Sequence, residues 1–107
     1  MIKVLIIQKD KQITQITIKG HSYSDEPGKD LICAGVSTAT TGIINELMKR
    51  DFFKNGQGCY ELEEGFADII IYDSDQMIQV VLETFETILR TIENSYPKYL
   101  TITTREV

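Results

Sequence analysis

A chain of 107 residues with 42% apolar and 25% charged residues has an ordinary globular composition, and one domain over residues 1–107 is expected, burying about 60–70% of the surface its unfolded form exposes. The formal charge of −5, with no cluster of Lys and Arg, argues against a binder of nucleic-acid phosphates, and no apolar run approaches the roughly 18 residues of a membrane span. Two cysteines and one histidine, without an export signal or close ligand spacing, argue against a disulfide framework and a structural zinc site, so no metal and no cofactor is expected and the location expected is cytoplasmic.

The opening "IKVLIIQ" carries apolar residues on both faces of an extended chain, as a buried or central strand does. "KDKQ" is a tight turn, and "ITQITIKG" follows with Ile16 and Ile18 on one face and Thr17 and Lys19 on the other, the pattern of a half-buried hairpin strand. From Gly20 to Lys29 the periodicity stops. Pro27-Gly28 is turn chemistry or a hinge, and a polar connection of this length marks a candidate functional loop.

"DLICAGVSTATTGIINELMKR" is helical, with Ile32, Val36, Ala39, Ile43 and Leu47 recurring along one face at steps of three and four. Asp30 stands at the N-cap, and Lys49 and Arg50 complement the dipole in the last turn. After "DFFKNGQG", the runs "CYELE" and "FADIIIY" are two strands joined at Glu64-Gly65. A second helix over about Ser74 to Asn94, capped by Ser74 or Asp73, is expected to bury Met77, Val81, Phe85, Ile88 and Ile92. Tyr96-Pro97 ends it and "YLTITT" is the last strand. The order ββαββαβ implies an α+β fold, one mixed or antiparallel sheet packed with two helices. Strand order cannot be read from it.

If Asp30 caps the first helix, Cys33 is its third residue, where unpaired N–H groups and the macrodipole favour the thiolate, the nucleophilic form. His21, between a strand end and the loop, can approach it as base or ion-pair partner. Such a cysteine suits acyl transfer, because the same N–H groups can hold an oxyanion. Local spacing leaves the plainer alternatives open: Cys33 a core thiol, His21 a turn residue, Asp30 a cap alone, and Ser37, one turn beyond Cys33, a hydroxyl bonded back to its own helix. Tyr23 can contact a substrate or cover the helix end. Cys59, at the start of a strand, is expected to pack as a small apolar residue.

Taken together, Gly20-His21, the loop Ser22 to Lys29, Asp30, Leu31-Ile32, Cys33-Ala34 and Ser37 resemble the signature of the bacterial ribosomal-processing cysteine proteases. The detailed match covers about nineteen residues, and the length and element order agree over the rest. The resemblance implies an endopeptidase that removes a short N-terminal extension from the precursor of a large-subunit ribosomal protein. It implies a Cys33–His21 dyad supported by Asp30 and Ser37, a loop that closes over an extended peptide, and a homodimer with no direct nucleic-acid partner and no membrane. Two alternatives stand beside it. One is an acidic binding or chaperone-like module for a basic ribosomal protein; the other is a thiol redox sensor at Cys33.

Overall fold

The computed structural model describes residues 1–23, 25 and 30–107; the turn expected at Pro27-Gly28, and most of the loop expected to close, lie outside the described residues. The elements are β1 (Ile2–Lys9), β2 (Gln12–Lys19), α1 (Leu31–Lys49), β3 (Gly58–Glu63), β4 (Phe66–Ile71), α2 (Gln76–Ser95) and β5 (Leu100–Glu106). They form a five-stranded sheet of order β3-β4-β2-β1-β5. Neighbouring strands are antiparallel except for β5, which runs parallel to β1, so the sheet is mixed.

β1 and β2 form a hairpin whose two turn residues, Asp10 and Lys11, both have positive φ (51° and 67°). That is the turn whose twist matches the flanking strands. Ile2, Val4 and Ile6 of β1 alternate into the core with Ile16 and Ile18 of β2, Ala67 and Ile69 of β4 and Leu100 of β5, while Lys3 and Lys19 point the other way. Both helices bury one side against that apolar face.

α1 begins at the expected cap: the Asp30 side chain accepts a hydrogen bond from the Cys33 N–H. By length and composition α1 could cross a membrane, which reading for uninterrupted apolar runs does not reveal because its Thr and Gly residues break them. In the fold its Ile32, Val36, Ile44 and Leu47 side chains join the core beneath the sheet. Thr40 is buried with them, its hydroxyl donating to the Val36 carbonyl at 2.7 Å. The helix ends with Asp51 at φ 58°, its N–H donating to Met48 O at 2.9 Å, while Phe52 N–H reaches Leu47 O at 3.0 Å. Phe52 and Leu47 are both fully buried, so the hydrophobic contact that accompanies this type of helix stop is present.

α2 departs from expectation in two ways. Its buried side chains are Ile78, Gln79, Leu82, Phe85 and Leu89, whereas Met77 is 56% and Ile88 39% exposed and Val81 and Ile92 are only partly buried. Its cap is Asp75, whose Oδ1 accepts from the Ile78 N–H at 2.9 Å; Ser74 is instead an acceptor for Gln79 Nε2 at 3.0 Å. Gln79 acts as a substitute strand. Its Oε1 accepts from Ile13 N–H at 2.8 Å and its Nε2 donates to Ile13 O at 3.0 Å, at a point on β2 that precedes its pairing with β4. Replacing Gln79 by Leu strands both buried backbone groups, and at about 1–3 kcal/mol for each the loss is expected to appear as a clear fall in the urea midpoint with an unchanged slope.

Cys59 is exposed rather than packed. β3 is the outermost strand, and every residue of it after Gly58 is exposed. The Cys59 sulfur lies 3.3 Å from the Tyr72 hydroxyl, and this hydrogen bond, with the nearby cysteine charge and some desolvation, pushes the phenol above its ordinary pKa.

Candidate active site

The site is built where the end of β2 meets the start of α1. Pairing of β2 with β4 runs as far as Lys19 opposite Phe66, and one residue further the Gly20 N–H donates to Gly65 O at 2.9 Å. Gly20 turns the chain there with φ 97°, and a side chain on it would meet the Met1 carbonyl oxygen at 2.5 Å. Only glycine fits that turn and that approach. His21 emerges next, half-buried, with its imidazole against the β3–β4 turn. Tyr23 is exposed with φ 54°, its ring centroid 5.7 Å from that of His21.

Cys33 is the third residue of α1, half-buried and open to solvent on one side. Its surroundings form a chain of hydrogen bonds that runs through Ser22. The Ser22 N–H donates to Cys33 Sγ at 3.2 Å, the thiol lies 3.4 Å from Ser22 Oγ, and the Ser22 hydroxyl is bonded to Asp30 Oδ2. The other carboxylate oxygen of Asp30 accepts from the Cys33 N–H at 3.0 Å. Asp30 therefore caps the helix and fixes the serine that holds the sulfur. It also occupies the Cys33 N–H, one of the helix-start donors expected to be open to an oxyanion.

A cavity of about 420 Å³ opens beside the sulfur, with His21, Cys33 and Ser37 all on its wall. The three residues from two segments thus share one space. No hydrogen bond joins His21 to Cys33 among the described residues, and the thiol is held by Ser22 instead. Thr38 and Thr40 return their hydroxyls to the helix at Ala34 O and Val36 O. Ser37, the residue before Thr38, is on the cavity wall. The remaining wall is apolar where Ile18, Val36, Leu62 and Phe66 line it and acidic where Glu63 and Glu64 do.

Two of these features escape reading by sequence. Ser22 appears in the chain as one polar residue among several after the β2 strand, and its bonds to Cys33 and Asp30 depend on the end of β2 lying beside the start of α1. Leu62 and Phe66 read as ordinary strand residues, and only the strand order carries their end of the sheet to the cavity. The position of Gly65 after Glu64 is a legible turn signal, but nothing local says that an imidazole rests on it.

The family model of the cysteine protease Prp matches residues 1–101. The ribosomal processing cysteine protease Prp of Bacillus subtilis is 31% identical over 100 residues, covering 89% of this chain and 88% of the relative. The protein of that name from Staphylococcus aureus is 30% identical over 98 residues, covering 90% and 92%. The crystal structure of the S. aureus essential ribosomal processing protease Prp with a covalently linked product peptide superposes with a TM-score of 0.86 at 26% identity, covering 98% of this chain and all of that one. A Streptococcus mutans structure, SMU.848, shares the fold at a TM-score of 0.79 and 22% identity over 100% of this chain and 96% of that one. Agreement of family model, relatives and fold over nearly the whole length shows that the chain belongs to the Prp family of cysteine proteases.

Proposed function

We propose that this protease removes a short N-terminal extension from the precursor of a large-subunit ribosomal protein, with Cys33 as nucleophile and His21 as base. The observation that carries the assignment is the Cys33 sulfur at the amino end of α1, open to a cavity whose wall His21 shares. The names of the relatives, both ribosomal processing proteases, support the substrate class, and so does the acidic rim at Glu63 and Glu64, which suits a basic ribosomal protein. The apolar part of the wall suits one or more apolar side chains of an extended peptide.

In this mechanism His21 takes the Cys33 proton as the thiol leaves Ser22 Oγ, while the Ser22 N–H stays on the sulfur and stabilises the thiolate. The sulfur attacks the scissile carbonyl, and the oxyanion is held by helix-start N–H groups other than that of Cys33, which Asp30 occupies. His21 returns the proton to the leaving amine, the C–N bond breaks, and water, activated by His21, releases the acyl group from sulfur. Asp30 and Ser37 support the site, the first through Ser22 and the second from the cavity wall. Residues 1–107 act as one catalytic domain, working in the cytoplasm as a homodimer.

Incubation with an extended ribosomal precursor tests the reading directly. Mass spectrometry is expected to find a single new N-terminus and a released short peptide. A stable complex with the precursor left intact would instead identify an acidic binding module and end the proposal.

A further inference from the structure

We propose that Gly65, in the turn between β3 and β4, is the positioning residue for His21: it is the floor on which the imidazole rests. This rests on the reading of His21 as the base. A Cβ added at Gly65 would stand 2.7 Å from His21 Nε2, 3.3 Å from Cε1 and 3.5 Å from Cδ2. The Nε2 edge of the ring therefore packs onto the bare α-carbon, and a methyl group there must displace it. The same residue also holds the backbone just before the histidine, because Gly65 O accepts from the Gly20 N–H at 2.9 Å. One turn thus fixes both the strand end from which His21 emerges and the plane against which its ring lies, on the cavity that holds Cys33.

The turn itself explains a glycine only in part. Gly65 has φ 73°, a conformation that disfavours other residues and by itself accounts for glycine at that place. Gly56 separates the two causes. Its φ is 71°, nearly the same, yet nothing lies within 4 Å of a Cβ built on it. Gly56→Ala and Gly65→Ala therefore both place a side chain at nearly the same positive φ, and only the second meets the imidazole.

The chain has one histidine, so every imidazole proton resonance reports His21 without assignment ambiguity. In the wild-type protein a cross-relaxation signal is expected between the imidazole protons and the Gly65 α-protons. Gly65→Ala is expected to move the imidazole resonances and to lower kcat for precursor cleavage by roughly 10-fold or more with little change in KM, as a displaced catalytic group does. Gly56→Ala should lose a similar amount of melting temperature and leave both resonance and kcat at wild-type values. Absence of the wild-type cross-relaxation signal, which needs no variant to fold, overturns the proposal. So does a Gly65→Ala protein whose imidazole resonances match the wild type. Wild-type cleavage by His21→Ala would remove the base assignment on which it stands, whatever the resonances do, so the two failures are told apart.

Discussion

Cys33→Ala is expected to cleave no detectable precursor, a loss of at least roughly 10⁴-fold, because removing a nucleophile leaves only the catalysis that binding and oxyanion donors supply. The variant should fold normally, since the half-buried sulfur is a minor part of the core. Cys59→Ala is the internal control. Its sulfur is exposed and paired with Tyr72 on the edge strand, and its loss should leave cleavage unchanged. His21→Ala should lose about 10²–10⁴-fold, and the double variant Cys33→Ala/His21→Ala should be no worse than Cys33→Ala alone, because residues acting as one unit do not contribute additively. Initial rates of peptide release, with the melting temperature measured beside them, check all four. Full activity in Cys33→Ala would move the nucleophile elsewhere.

Asp30 carries the second large effect, and its two duties can be separated by two substitutions. Asp30→Ala deletes the acceptor of the Cys33 N–H and the partner of the Ser22 hydroxyl together. Loss of the cap costs about 1 kcal/mol, which lowers the melting temperature of a domain this size by about 4–8 °C. Release of Ser22 lets the sulfur leave its place, for which a further loss of about 10- to 100-fold in kcat is expected. Asp30→Asn keeps a good cap, its amide oxygen accepting from the Cys33 N–H, but presents an NH₂ donor to Ser22, so the bond in which the Ser22 hydroxyl donated is reversed and the hydroxyl no longer stands as it did toward the sulfur. It should therefore melt close to wild type and still lose most of its kcat. An Asp30→Asn enzyme with wild-type rates would reduce Asp30 to a helix cap and nothing more.

The features legible in the sequence are the ones set by neighbours in the chain. The β1–β2 hairpin follows from alternation and from a turn of Asp10 and Lys11. α1 begins where it is expected because a carboxylate three residues ahead of Cys33 satisfies an orphan N–H, a contact that needs no distant partner. The buried side of α2 shows where this kind of reading ends. Apolar neighbours such as Met77-Ile78, Val81-Leu82 and Ile88-Leu89 make two overlapping stripes of almost equal spacing. The sheet, not the helix, selects the one containing Ile78, Leu82 and Leu89. Gln79 goes inward on the same side because Ile13 of β2 offers it both a donor and an acceptor. Cys59 is exposed for the converse reason: an edge strand without a helix over it cannot bury a thiol.

The site divides along the same line. His21, Asp30, Cys33 and Ser37 could be named from the chain because they lie within seventeen consecutive residues: a cap and a helical turn relate Asp30, Cys33 and Ser37 to one another, and the resemblance of the whole stretch adds His21. Local order determined the place of the Cys33 thiol and the cap beside it. The pairing of β2 with β4, a contact between segments about fifty residues apart, decided what surrounds those atoms. It set Gly65 under the imidazole and brought Leu62, Glu63, Glu64 and Phe66 to the cavity wall. Chain-local hydrogen bonds form wherever the sequence allows them, but a wall made by distant strands exists only once the whole sheet has closed its register.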